Sequence, residues 1–114
     1  MSSIRLIPQP IRSLDFASIG LLYAAVGTPL DLPASIIIFQ NNTDVSVFFS
    51  LDGVNDHFFL PANGYLVLDL TTNKSLDQGA FISQGTQVYV RNVFPAGTMN
   101  DVYVSVMSGF QGNA

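Results

Sequence analysis

The 114-residue chain has the length of one ordinary domain, which buries roughly two thirds of its unfolded surface and needs no covalent staple. It has no cysteine, which excludes a disulfide framework, a thiolate metal site and a cysteine nucleophile. Its eight aspartates face only four scattered cations, Arg5, Arg12, Lys74 and Arg91, so the basic stripe needed for direct nucleic-acid binding is missing. Charged residues make up 11% and hydrophobic residues 48%, against about 25% charged in an average soluble domain. A surface so poor in charge is expected to be covered by other subunits, as in a homo-oligomer.

Met1 to Arg12 places Pro8 and Pro10 around Gln9, which favours an extended, polyproline-like arm that gains order by lying on a sheet edge or a neighbour. Met1 to Pro10 has no apolar core of a targeting segment, so synthesis in the cytoplasm is expected. The longest apolar run, Ile19 to Val26, is too short to span a membrane, which takes roughly 20 residues. Leu22 to Val26 reads as a short strand and Ile36 to Gln40 as a central one, rich in β-branched residues.

From there a period of two dominates and the helical period is not sustained. Asp44 to Leu51 sets Val45, Val47, Phe49 and Leu51 on one face and Ser46, Phe48 and Ser50 on the other. Asp52-Gly53 then predicts a tight turn, with a return strand at His57 to Leu60. Asn63-Gly64 predicts a second turn before Tyr65 to Leu70, whose Leu66, Leu68 and Leu70 face inward. A polar loop follows at Thr71 to Gly79, with a short strand at Phe81-Ile82. Gln87 to Val93 and Val102 to Met107 are expected to form a final hairpin around Pro95 to Gly97.

The expected architecture is an all-β, two-sheet antiparallel β-sandwich, jelly-roll-like, with an extended N-terminal arm. Residues 1–14 form the arm, 15–110 the sandwich and 111–114 a flexible tail. A small closed barrel is the competing topology.

The chemistry-bearing residues are few. His57, the single histidine, reads as a polar residue hydrogen-bonding across its hairpin, because adjacent Asp56 points to the opposite strand face and does not orient it. Most aspartates fall in turns, where they cap backbone N–H groups. Asp52 to Asp56 lacks the oxygen ligand and closing glutamate of a calcium loop, and no phosphate-binding glycine loop occurs. No catalytic, metal or cofactor residue is therefore expected. Phe48, Tyr65, Tyr89 and Tyr103 lie on the second strand faces and point outward if Val and Leu fill the core, which makes them candidate subunit contacts; the alternative is that they lie under the N-terminal arm or form the packed face of a second sheet.

The run Arg12 to Leu30, the block Ile36 to Lys74 with its Asn41-Asn42 opening, Asp52-Gly53 turn, Asp56-His57 return and Pro61 to Gly64, the run Gly85 to Asn92, and the closing Val102 to Phe110 resemble small virion structural proteins of tailed bacteriophages. The resemblance implies a β-sandwich present in many copies in a virion, as a capsid decoration or cement protein or a head–tail connection or tail component. The partners it implies are other virion proteins, either the major capsid protein or neck and tail proteins. Ile4, Leu6, Ile7, Pro8 and Pro10 in the arm join Phe48, Tyr65, Tyr89 and Tyr103 as the expected contact residues. A carbohydrate or host-receptor binding module of the tail is the alternative expectation.

Overall fold

The computed structural model describes residues 2–70, 82–93 and 97–113, and side chains within 6–70, 82–93 and 97–108. The loop expected at Thr71 to Gly79, Phe81, and Pro95 and Ala96 of the last turn lie outside the described residues.

Nine strands are present among the described residues: β1 (Ser2–Pro8), β2 (Arg12–Asp15), β3 (Ala24–Ala25), β4 (Ile36–Asn41), β5 (Val47–Ser50), β6 (Phe58–Leu60), β7 (Tyr65–Asp69), β8 (Tyr89–Asn92) and β9 (Asp101–Asn113). They form two antiparallel sheets. The first has the order β2-β9-β4-β7, with β1 also on β9, and the second the order β3-β8-β5-β6.

The pairing has a simple logic. β2 pairs with β9, β3 with β8, β4 with β7 and β5 with β6, so β2 to β9 behave as one long hairpin rolled over on itself. The cross-pairs β4 with β9 and β5 with β8 knit each sheet together. Strands β2 to β9, four in each sheet, make a jelly roll, a form of β-sandwich, and β1 adds a fifth strand to the first sheet. The expected hairpin of the last two strands does not form. β8 and β9 are neighbours in sequence, but each returns to its early partner on a different sheet.

The core follows the strand alternation. Ile37 and Phe39 of β4 and Val102, Val104 and Val106 of β9 point inward from the first sheet. Val47 and Phe49 of β5, Leu60 of β6 and Val90 of β8 meet them from the second. The Phe39 ring bridges the sheets, 5.1 Å from both the Phe49 and Phe58 centroids. Ile19, Val26, Leu30 and Ala34, carried by the β2–β4 connections, close the core.

Buried polar groups hold the connections. Asn41 is fully buried, and its amide donates to the carbonyls of Val45, Leu60 and Pro61. Its Oδ1 accepts from the Thr43 N–H and hydroxyl, so one side chain fixes two turns. Arg12 is also buried, and its guanidinium donates to the carbonyls of Thr28, Pro10 and Pro29 and to Gln9 Oε1. Gly27 (φ +66) lies against the Arg12 stem, where an added Cβ would sit 2.7 Å from Cγ.

The N-terminal arm differs from the polyproline expectation. Residues 2–8 are a β-strand paired along β9, from Ser2 opposite Asn113 to Pro8 opposite Met107. Arg12 to Asp15 already belong to the first sheet, and residues 111–113, expected as a tail, are the end of β9. Four positions separate Pro8 from Arg12 (12 − 8), but three separate their partners Met107 and Val104 (107 − 104). One extra residue at Gln9 to Ile11 thus breaks a single long edge strand into β1 and β2.

Candidate interaction surfaces

Three surfaces stand out. The first is the ribbon of β1 and the C-terminal half of β9. β4 accompanies β9 only as far as Met107, opposite Ile36, and beyond it β9 pairs only with β1 among the described residues. The Gln9 N–H donates to the Val106 carbonyl on the β1 side, and the Ser35 N–H donates to the Met107 carbonyl on the β4 side. That alternation turns the backbone groups of Gly109, Gln111 and Asn113 away from β1, towards an edge that β4 does not reach. The ribbon's six or so residues add about 20 Å, and the molecule measures 52 × 23 × 22 Å.

The second surface is the outer face of the first sheet. Register places Met107 beside Ile36 and Asp69, then Ser105 beside Ile38 and Val67, then Ser13, Tyr103, Gln40 and Tyr65 in one row. Tyr65 is 73% exposed, Val67 46% and Met107 40%. A solvated antiparallel face normally alternates to polar residues, so an apolar centre here is a departure. Its lower end carries Asp15 directly opposite Asp101.

The third surface is the outer face of the second sheet, where a row runs Tyr23, Arg91, Phe48, Phe59. The Arg91 guanidinium lies 4.7 Å from the Phe48 ring centroid and 5.7 Å from that of Tyr23. Phe48 meets Phe59 edge-on at 5.3 Å, and Phe59 is 54% exposed. Asp56 grips Arg91 through two hydrogen bonds, 2.9 and 2.6 Å. Those bonds hold the Asp56 carboxyl below its usual range and the guanidinium above its own. Tyr23 Oη is buried without a hydrogen-bond partner.

The expected contact residues are therefore distributed. Tyr65 and Tyr103 share one row on the first sheet, and Phe48 and Tyr89 face outward from the second. Tyr89 covers the Asp52-Gly53 turn, its ring 3.2 Å from where a Gly53 Cβ would lie. Leu6 and Pro8 are exposed on β1, Ile7 is half-buried, and Pro10 is exposed at the break. The side chain of Ile4 lies outside those described. Sequence reasoning did not pick out Arg91 and Phe59, although Val88, Val90 and Asn92 facing inward leave Arg91 outward beside Tyr89.

The 51–57 loop is organised as a turn. Asp52 Oδ1 accepts from the Val54 and Asn55 N–H groups, and Oδ2 accepts from the Asn55 amide. These donors, Asn55 first, hold the Asp52 carboxyl well below the usual carboxylate range. His57 Nδ1 accepts the Leu51 N–H at 3.0 Å, the cross-hairpin bond expected of it. The buried Ser50 hydroxyl donates to Asp52 Oδ1, and His57 Nε2 lies 3.9 Å from Asp52 Oδ2; among the described residues no hydrogen bond joins Ser50 to His57. Arg12, beside a cleft of about 210 Å³, spends its guanidinium on internal acceptors.

Compared with known protein families and with curated protein sequences, the chain matches none of them.

Proposed function

We propose that the chain is a non-enzymatic structural protein of a bacteriophage virion, binding neighbouring subunits to build or stabilise the capsid shell, neck or tail. The observation that supports it most is the β1–β9 ribbon, which leaves the sandwich with backbone edges that no described residue pairs. A two-stranded ribbon is marginal on its own in water, and unpaired strand edges are templates for another chain. Adding a neighbour's strand supplies main-chain hydrogen bonds and holds particles together mechanically. The jelly roll is used by viral capsid and lectin domains alike, so the reading rests on the surfaces and on the sequence resemblance.

Removing residues 2–8 tests it. Arg12 and β2 stay in place, so the truncated chain keeps its sandwich by circular dichroism and cooperative melting. It is expected to be lost from purified particles when it replaces the full chain. Wild-type incorporation of the truncation would refute the role of the ribbon.

The row Tyr23, Arg91, Phe48, Phe59 favours a second reading, a carbohydrate or host-receptor module. The exposed Phe59 ring and the half-buried Phe48 ring beside a paired Arg and Asp offer a stacking surface with hydrogen-bonding groups. Saturable glycan binding by the isolated chain, abolished by Phe59→Ala, would support that alternative.

A further inference from the structure

One side chain holds the ribbon of β1 and β9 at its root. Gln9 stands at the extra residue that separates β1 from β2, between Pro8 and Pro10, two residues of fixed φ. Its backbone N–H donates to the Val106 carbonyl, and its side-chain amide reaches three separate parts of the chain. Nε2 donates to Ser108 Oγ at 2.7 Å and to the Leu32 carbonyl at 3.2 Å. Oε1 accepts from Arg12 Nη2 at 3.0 Å and from the Asp31 N–H at 3.3 Å. A glutamine amide has two N–H donors and one oxygen with two lone pairs, so the whole of its capacity is spent on this junction. Two of the partners are themselves held fast. Ser108, the first residue of β9 beyond its pairing with β4, is buried, and the buried Arg12 is bonded to the Thr28 and Pro29 carbonyls. Gln9 after β1 and Ser108 on β9 are thereby both tied to the 28–32 connection. A hinge needs the opposite, a root with few bonds to the body.

We infer that Gln9 is a positioning residue, which locks the root of the β1–β9 ribbon to the 28–32 connection and so presents the ribbon to a neighbour in one preset direction. A binding element already held in its bound orientation loses less freedom on docking, which strengthens the contact. The orientation is a property of the isolated chain, and its use by a neighbour rests on the virion reading.

The test measures the ribbon's direction in the full-length chain. The sequence has no cysteine, so two spin labels can be placed without background, at Ser3→Cys on β1 and at the exposed Val54→Cys in the 51–57 loop. The longest extent of the molecule is 52 Å, within reach of pulsed electron–electron resonance. With Gln9 in place the label separation should be a single narrow distribution. Gln9→Met keeps the length of the side chain and removes its four hydrogen bonds, so it should broaden or split that distribution while the circular dichroism of the sandwich is unchanged. Ser108→Ala takes the acceptor from the β9 side and should have the same effect, so the test does not depend on one variant folding. Gln87→Met is the control: that amide donates to the Val26, Gly27 and Val88 carbonyls, and its loss should leave the distribution narrow. A narrow distribution in both root variants, a broad one with Gln9 in place, or equal broadening in the control would overturn the inference. On purified particles Gln9→Met should fall roughly tenfold in occupancy, and wild-type occupancy despite a broadened distribution would overturn the presentation of the ribbon. Particles without the wild-type chain would overturn the virion reading and leave the orientation measured on the isolated chain standing.

Discussion

Replacing Asn41 tests how the rolled hairpin is held at its turns. The side chain is fully buried, and its amide nitrogen lies 2.8, 3.2 and 3.0 Å from the carbonyl oxygens of Val45, Leu60 and Pro61. Asn41→Leu keeps the size and removes the donors. The Val45 and Pro61 carbonyls keep the Thr43 hydroxyl and the Gly64 N–H, while the Leu60 carbonyl and the Thr43 N–H lose their Asn41 partner; at about 1–3 kcal/mol for each of these two, the expected loss is about 2–6 kcal/mol, independent of pH. Asn41→Asp acts differently, because an oxygen then faces three oxygens. The buried carboxylate must stay ionised without a donor or take up a proton, so its folded-state pKa rises above the unfolded value of about 3.9. The folded variant then binds more protons than the unfolded one, and its stability falls as pH rises through that raised pKa. Its deficit should be smallest at or below about pH 4 and reach roughly 3–5 kcal/mol at pH 7, a large part of the 5–15 kcal/mol typical of a domain. Urea unfolding at both pH values reads this directly. An Asn41→Asp deficit below about 1 kcal/mol at pH 7, or one that does not change with pH, would refute the reasoning.

The buried Arg12 is predicted to be structural: Arg12→Met should cost about 2–3 kcal/mol and lower Tm by roughly 10–15 °C in a calorimetric melt, with added phosphate making no difference to the wild type. Phe39→Ala removes the ring that bridges the sheets and should cost about 3–5 kcal/mol by chemical denaturation. The carboxyls of Asp44, Asp52 and Asp56 all titrate below their ordinary value of 3.8, so their contribution is complete above that pH and is lost as pH falls below it. Asp52→Asn should therefore flatten the acid limb of stability between about pH 4 and pH 2, and coincident acid limbs would contradict the assignment.

Much of the fold was legible because strand alternation is local. Val47 and Phe49, and likewise Val102, Val104 and Val106, declare their inward face at period two, and the glycines and asparagines declare the turns. Gly53 (φ +75) and Asn63 (φ +62) adopt the left-handed backbone those turns demand. Pairing was not legible from alternation, since an inward valine is the same on either sheet. β8 and β9 therefore read as a hairpin, although β8 belongs with β3 and β9 with β2.

The ribbon was hidden for a similar reason. Its two strands come from opposite ends of the chain, Ser2 opposite Asn113, and the glycines at 109 and 112 mask a strand that only a distant partner completes. The outward aromatics were visible singly, but the row joining Tyr65 to Tyr103 and the Arg91 placed between Tyr23 and Phe48 depend on register. Asp15 and Asp101 lie 86 positions apart in sequence (101 − 15), and only the β2–β9 pairing makes them opposite one another.

The most direct test of the account is a quantitative protein count of purified virions, giving copies of this chain relative to the major capsid protein. The account predicts that the chain is a stoichiometric component. Copies in fixed proportion to the capsid protein would place it on the shell, and about a dozen or fewer per particle would place it in the neck or tail. Particles that carry none of the chain would contradict the account.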